Sequence, residues 1–392
     1  MSLDKKRSIF ALLALAVSAF AIGTTEFISV GLLPLISEDL HIPVTTAGLT
    51  VSLYALGVTF GAPILTSLTS SMSRKTLLLL IMIVFIVGNS LAASSTSVGI
   101  LLFARVLSAF SHGVFMSIGS TIAANLVPEN KRASAISIMF TGLTVATVTG
   151  VPLGTFIGQQ FGWRAAFLAI IVVGIIALIA NSILVPSDLP KGARTTFIDQ
   201  FKLLSNGRLL LLFIITALGY GGTFVVFTYL SPLLQHVTGF KEGVVAIILL
   251  VYGIAIAIGN VIGGKLANQN PLKALFYMFI IQAIILIVLT FTAPFKIAGL
   301  ITIIFMGLLA FMNVPGLQVH VVTLAEKFVP SAVDVASAIN IAAFNAGIAI
   351  GSYIGGIITD SIGLIHTAWI GGLMVMGAVV LTGWSRLLEK QD

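Results

Sequence analysis

The chain has 392 residues, of which 58% are hydrophobic and only 8% are charged. Because soluble domains carry about 25% charged residues, this composition indicates a polytopic membrane protein. With no cysteine in the sequence, disulfides, thiolate metal sites and cysteine nucleophiles are excluded. The net charge of +7 is also found in proteins that bind nucleic acid or anionic surfaces, so its meaning depends on where the basic residues lie.

Apolar segments long enough to cross a bilayer recur about twelve times along the chain. A helix rises 1.5 Å per residue, so about 20 residues cover the hydrocarbon core. The predicted spans cover residues 9–33, 46–68, 76–94, 99–125, 134–158, 165–185, 209–235, 244–267, 274–292, 297–322, 336–359 and 367–386. The first also resembles a signal peptide with a cleavage site at residues 19–21, but its apolar run continues to Pro34. We therefore expect an all-α membrane protein with about twelve transmembrane helices.

The basic residues are distributed unequally between alternate loops. If the first loop faces outside, the outer loops hold only Arg164, Lys241 and Lys296, and every other lysine and arginine except Arg105 lies on the inner side. Cytoplasmic loops carry an excess of Lys and Arg. The sequence therefore predicts that both termini are cytoplasmic, and it accounts for the positive charge without nucleic acid.

The longest polar stretch, residues 186–208, divides the predicted spans into two groups of six. We place an N-terminal half at residues 1–187, a cytoplasmic linker at 188–208 and a C-terminal half at 209–392. Within the linker, Phe197, Phe201 and Leu204 recur at helical spacing, which indicates a short helix on the cytoplasmic face. A solvated linker is the alternative.

The two halves share sequence patterns at corresponding positions. The hexapeptide ASAISI at 133–138 matches ASAINI at 336–341, and the glycines at 150, 154 and 158 match those at 347, 351 and 355. These echoes indicate a duplicated six-helix unit, with a binding site expected between the halves near the middle of the membrane. The predicted fold is thus two pseudo-symmetric six-helix halves.

Glu26 is an acidic residue inside the first predicted span. An ionised side chain in the hydrocarbon core costs at least about 2.5 kcal/mol, so Glu26 needs a partner, a proton or water. By helical rise, Glu26 and Arg105 of the fourth span lie at a common depth, about 9 to 12 Å below the outer surface, which predicts that they pair. His112 shares one helix face with Arg105.

We assign Glu26, Arg105 and His112 to proton coupling. Two simpler interpretations stay open: a structural ion pair that fixes helix packing, and a histidine hydrogen-bonded in the core.

The second half supplies neutral polar and aromatic side chains to the predicted cavity. Asn313 and Gln318 flank Pro315 in the tenth span, where a kink is expected. The remaining predicted cavity residues are Asn345, Tyr220 and Phe224. Aromatic residues in spans often pack against other helices or face lipid, but together with amides and one acid they suit a lipophilic or planar substrate.

Several segments carry a family resemblance. Residues 66–75 (TSLTSSMSRK) resemble a degraded G-x-L-a-D-r-x-G-r-k loop that keeps Arg74 and Lys75, and residues 264–268 (GKLAN) repeat its beginning with Asn268 for the aspartate. The segment LLFAR ends at Arg105, GVPLG covers 150–154, and GTTEF contains Glu26. Over essentially its whole length the chain resembles the major facilitator superfamily, in particular its bacterial drug/proton antiporter and sugar or nucleoside efflux branch.

The resemblance implies the major facilitator fold and roles for two further groups of residues. Arg74 and Lys75 would act in gating, and Gly150, Pro152 and Gly154 would act in gating and helix packing. The glycines also fit close helix packing without any antiporter role, because small residues let backbones approach. The resemblance implies a bacterial inner membrane, no cofactor or metal, and a monomer surrounded by lipid.

The expected function is proton-coupled export of small lipophilic or aromatic molecules, such as drugs, by alternating access. No Walker A loop or H-E-x-x-H motif is present, so an ion gradient is the expected energy source and an enzyme is not expected. Export of a sugar, nucleoside or purine is the alternative within the same class. A non-transporting scaffold or receptor is the alternative of a different class.

Overall fold

A computed structural model describes residues 5–42, 44–189 and 197–390. Within these ranges, 12 helices are long and apolar enough to cross a membrane, which agrees with the predicted number of spans. The helices before the linker are α1 (Lys5–Asp39), α2 (Val44–Leu68), α3 (Arg74–Ala93), α4 (Val98–Asn125), α5 (Arg132–Val145), α6 (Val151–Phe161) and α7 (Trp163–Leu184). The linker contains α8 (Phe197–Ser205). The remaining helices are α9 (Gly207–Phe227), α10 (Leu230–Pro232), α11 (Glu242–Ala267), α12 (Pro271–Thr292), α13 (Lys296–Ala310), α14 (Val314–Phe328), α15 (Val333–Ser361) and α16 (His366–Glu389).

Two of the twelve spans are interrupted. The fifth consists of α5, a π-helical turn at Ala146–Gly150 and α6, with Pro152 in the first turn of α6. The tenth consists of α13 and α14, which are separated by a turn, with Pro315 in the first turn of α14. Proline lacks the N–H that continues a helix, so the break predicted at Pro315 is confirmed. A second π-helical turn occurs at Leu233–Val237, and 3₁₀ turns occur at Glu129–Lys131 and Pro330–Ala332.

The linker contains the predicted short helix, α8. Of the predicted apolar stripe, Phe201 is 70% exposed and Leu204 is 44% exposed, whereas Leu203 is fully buried; the side chain of Phe197 lies outside the described residues. Gln200 Nε2 also donates a hydrogen bond to the carbonyl of Pro63 in α2 (3.3 Å). The apolar face of α8 therefore points away from the protein, as in a helix lying on a membrane surface.

The fifth span packs closely against α1, the helix that carries Glu26. A Cβ added at Gly142 would overlap the carbonyl oxygen of Ala16, and one added at Gly150 would overlap Thr24. A Cβ added at Gly154 would overlap the side chain of Ile28. The side chain of Pro152 is exposed. The glycines let the two backbones approach, which fixes the position of the α1 segment around Glu26.

An ion pair joins the predicted outer end of α1 to the start of α7. Arg164 Nη1 donates to the Asp39 carboxylate (2.7 Å), Trp163 Nε1 donates to the same oxygen (3.1 Å), and Arg164 also donates to the carbonyl of Ser95. The hydrogen bonds from Arg164 and Trp163 hold the pKa of the Asp39 carboxyl below its usual range. This contact fixes the predicted outer ends of α1 and α7 to the loop between α3 and α4.

The predicted topology can be tested by cysteine labelling, because the sequence contains no cysteine. Ser37 lies near the end of α1 and Ser205 at the end of α8. We expect Ser37→Cys to react with an impermeant maleimide in intact cells, and Ser205→Cys to react only after the cells are opened. The reverse labelling pattern would contradict cytoplasmic termini.

Candidate substrate and proton site

A small cavity of about 40 Å³ lies between the first six and the last six spans. Its polar lining consists of Glu26, His112 and Asn345. The rest of the lining is aromatic or aliphatic: Phe27, Met116, Phe140, Leu143, Tyr220, Phe311, Val314, Ile341, Phe344 and Ile348. This volume accommodates a few water molecules, whereas drug-sized ligands need at least about 300 Å³. The protein is therefore closed around this site.

Arg105 connects three helices next to the cavity. Its Nε donates to the carbonyl of Thr50 in α2 (3.1 Å), and its Nη1 and Nη2 donate to the carbonyls of Thr25 (2.6 Å) and Glu26 (3.1 Å) in α1. The guanidinium also lies 4.2 Å from the centre of the Tyr54 ring, a cation–π geometry. Arg105 is 1% exposed, so these contacts stabilise the buried charge.

The structure supports the common depth of Glu26 and Arg105 but not the predicted contact between their charged groups. Arg105 binds the main chain of Glu26, because carbonyls of α1 and α2 accept from all three of its nitrogens. The Glu26 carboxylate instead faces the cavity and lies 4.0 Å from Nδ1 of His112. The carboxylate thus remains available to the cavity.

Tyr54 completes the cluster and was not among the predicted site residues. Its hydroxyl lies 3.2 Å from Nδ1 of His112, so the same histidine nitrogen faces both Tyr54 and Glu26. Tyr54 is 2% exposed. A tyrosine seven residues before a glycine occurs at the same place in spans two and eight, as Tyr54 with Gly61 and Tyr252 with Gly259, and this repeat was the available signal.

The last six spans supply most of the aromatic lining of the cavity. Tyr220 lines the cavity, and its ring centre lies 5.3 Å from Phe311 and 4.9 Å from Phe344. Phe224 stands behind Tyr220, with ring centres 5.0 Å apart. Of the predicted cavity residues, Tyr220 and Asn345 therefore contact the cavity, and Phe224 forms the next layer.

The predicted cavity positions of Asn313 and Gln318 are not observed. Both side chains are fully buried. Gln318 hydrogen-bonds Ser337 and accepts from Nδ2 of Asn340 (2.8 Å), and Asn313 donates to Gln282 (3.1 Å). Amides in an apolar membrane interior gain most by bonding to one another, so these two residues connect helices.

The predicted cytoplasmic ends of the two halves are joined by a buried ion pair. Arg74, in the first turn of α3, lies 3.2 Å from Asp334 in the first turn of α15, and both side chains are less than 10% exposed. Ser117 Oγ donates to the carbonyl of Asp334 (2.6 Å). Lys75 instead bonds the carbonyl of Ser182 in α7 (2.8 Å), so only Arg74 of the predicted gating pair reaches the other half.

Hydrogen bonds between neutral groups also join the two halves, between α5 and α11. Asn260 Nδ2 donates to the carbonyl of Ser137 (2.9 Å), and Ser137 Oγ donates to the carbonyl of Asn260 (2.8 Å). Asn268, which replaces the motif aspartate, accepts from the backbone N–H of Ser134 near the start of α5 (3.0 Å). The amide thus occupies the anion-favouring end of the α5 helix dipole without a charge. We refer to the contacts of Arg74–Asp334 and α5–α11 as the inner seal.

Comparison with known proteins identifies the family. A model described as Major Facilitator Superfamily matches residues 15–332. The chain belongs to this superfamily. It is 81% identical over 392 residues to the MFS-type transporter YtbD of Bacillus subtilis (strain 168), covering 100% of this chain and 99% of YtbD.

Two further similarities agree with this assignment. The chain is 37% identical over 371 residues to the inner membrane transport protein YdhP of Escherichia coli (strain K12), covering 95% of this chain and 93% of YdhP. The crystal structure of the human organic anion transporter MFSD10 matches with a TM-score of 0.82 at 14% identity, covering 97% of this chain and 100% of that chain; at this identity it shows the fold alone. The protein is a multi-pass membrane transporter of the major facilitator superfamily and not an enzyme.

Proposed function

We propose that this transporter is a proton-coupled exporter of small lipophilic or aromatic molecules, such as drugs, in a bacterial inner membrane. The observation that carries the proposal is the cavity, where Glu26 is the one acid among otherwise mainly aromatic and aliphatic lining residues. A buried carboxylate in an apolar site favours a proton, or a substrate group that carries positive charge or donates hydrogen bonds. Proton and substrate would therefore compete for Glu26.

The neighbours of Glu26 support this competition. Backbone carbonyls of α1 accept hydrogen bonds from the Arg105 guanidinium. The guanidinium therefore lies beside the α1 backbone and forms no direct ion pair with the Glu26 carboxylate. His112 lies beside the Glu26 carboxylate, and the Tyr54 hydroxyl lies beside His112. Glu26 can then exchange its proton for a substrate without breaking a direct ion pair.

Coupling also requires that the site opens to one side at a time. The inner seal closes the predicted cytoplasmic side in this structure. We propose that residues 1–187 and 209–392, joined by the linker at 188–208, rock against each other and break this seal to admit substrate from the cytoplasm. One chain supplies both the cavity and the seal, so we propose that the monomer is the working unit.

The composition of the cavity favours this substrate class over sugars, nucleosides or purines. Polar ligands of that kind need several hydrogen-bonding groups at the site. Asn345 lines the cavity, whereas Asn313 and Gln318 bond to neighbouring side chains. The aromatic surface of Tyr220, Phe311 and Phe344 suits a planar apolar molecule.

Transport by the purified protein in proteoliposomes tests this function. Ethidium, a planar lipophilic cation, is compared with uridine and fucose, with and without an acidic vesicle lumen. We expect the imposed pH gradient to drive ethidium into the vesicles and to leave uridine and fucose at their passive levels. Gradient-driven uptake of uridine or fucose without uptake of ethidium would contradict the proposal.

A further inference from the structure

The eighth span contains a counterpart of Tyr54. The loops at residues 66–70 and 264–268 correspond, and the offset that aligns Leu68 with Leu266 also aligns Tyr54 with Tyr252. The same offset aligns the segment GTTEF with GGTFV, so that Phe224 stands where the first half has Glu26. The second half thus keeps the tyrosine and lacks the acid.

The two tyrosines have different surroundings. The Tyr54 hydroxyl is paired with His112, and its ring lies against Arg105. Tyr252 is 2% exposed, yet its hydroxyl has no hydrogen-bond partner among the described residues. A buried hydroxyl without a partner costs free energy, and such groups in a native protein call for an explanation.

A series of aromatic rings connects Tyr252 to the cavity. The Tyr252 ring stacks on Phe227 with centres 5.4 Å apart, and Phe227 lies 5.3 Å from Phe224. Phe224 lies 5.0 Å from Tyr220, which lines the cavity with Glu26. Tyr252 therefore stands at the far end of a continuous series of aromatic ring contacts that begins at the proton site.

We propose that Tyr252 is the hydrogen-bonding residue of an aromatic substrate subsite formed with Tyr220, Phe224 and Phe227. The subsite takes planar aromatic molecules that carry a hydrogen-bond acceptor at the ring edge; this rests on the proposed function and specifies its substrate class. In the open cavity the substrate ring stacks on the aromatic series, and its acceptor receives the Tyr252 hydrogen. The first half then supplies the carboxylate for which proton and substrate compete, and the second half recognises the aromatic ring of the substrate.

The test compares two ligands that differ by one ring atom. Acridine has a ring nitrogen that accepts a hydrogen bond, and anthracene has the same shape without it. Their binding to wild type and Tyr252→Phe is measured by equilibrium dialysis in lipid nanodiscs at alkaline pH, with empty nanodiscs as the blank. We expect Tyr252→Phe to weaken acridine binding about tenfold and to leave anthracene binding unchanged. Without ligand, the variant should be at least as thermally stable as wild type, because it loses no hydrogen bond.

Tyr54→Phe is the matched control, because it removes the equivalent hydroxyl from the proton site. It should alter the pH dependence of transport and leave the ratio of acridine to anthracene affinity unchanged. The inference is overturned if wild type does not prefer acridine, if Tyr252→Phe affects both ligands equally or neither, or if the ligand-free variant is less stable.

Binding is measured without a gradient, so the two proposals can fail separately. Normal proton-driven transport with unchanged acridine binding in Tyr252→Phe refutes this inference alone. If Tyr252→Phe selectively loses acridine binding but wild type shows no proton-driven transport, the proposed function alone is refuted.

Discussion

Glu26→Gln is expected to abolish proton-driven accumulation of ethidium while leaving ethidium exchange across the membrane measurable. Glutamine keeps the size and the hydrogen-bonding ability of the side chain but cannot take up or release the proton. Exchange of one proton for one ethidium cation moves no net charge, so the pH gradient supplies the energy, about 1.4 kcal/mol per pH unit. Accumulation should therefore fall from as much as about tenfold per pH unit to the passive level. The measurement is uptake into proteoliposomes with an acidic lumen, compared with exchange at equal pH on both sides.

Glu38→Gln is the control, because it makes the same change on the same helix. Glu38 is exposed near the predicted outer end of α1 and does not line the cavity. This variant should accumulate ethidium as wild type does. Accumulation by Glu26→Gln at the wild-type level would exclude Glu26 as the proton carrier.

Asp334→Ala is expected to open the inner seal. Asp334 is the ion-pair partner of a buried arginine, and Nε and Nη1 of Arg74 have no partner of their own among the described residues. Removing one member of a buried pair costs about 3–5 kcal/mol, which is comparable with the difference needed to reverse a two-state equilibrium. The population should therefore shift towards the conformation that is open to the cytoplasm.

A cysteine reporter measures this opening. Ser337 is fully buried, and its Oγ donates to the carbonyl of Ser117 across the seal (3.2 Å). In a Ser337→Cys background, Asp334→Ala should raise the rate of maleimide labelling from the cytoplasmic side at least about tenfold.

The matched control for the seal is Glu326→Ala. Glu326 pairs with Arg132 across the same interface (2.9 Å), but its side chain is 43% exposed. Exposed ion pairs contribute about 0–1 kcal/mol, so this variant should change the labelling rate little. Equal labelling rates in Asp334→Ala and its parent, in folded protein, would show that Arg74–Asp334 does not hold the seal.

The sequence predicts the helical framework because the membrane restricts the possible structures. Backbone groups in hydrocarbon must be satisfied within the segment, so apolar runs of spanning length become helices. The break at Pro315 follows from its missing N–H. The two π-helical turns were not predicted, because the extra residue in such a turn leaves no hydropathy pattern.

The candidate site was predictable in position but not in its contacts. Helical rise places Glu26 and Arg105 at one depth, and Arg105 does bind the Glu26 residue, through its carbonyl. The choice between carbonyl and carboxylate depends on how α1 and α4 are rotated about their axes, which depth does not determine. The rotations of the tenth span and of α2 are equally undetermined by depth; they direct Asn313 and Gln318 towards neighbouring helices and Tyr54 towards His112.

The most direct test of a shared proton and substrate site is proton release on binding. Ethidium is added to purified protein in weakly buffered solution across a range of pH, and the released protons are measured with an indicator dye. Wild type is expected to release protons when ethidium binds, and Glu26→Gln is expected to bind ethidium without release. Binding to wild type without proton release at any pH, or equal release from Glu26→Gln, would contradict a shared site.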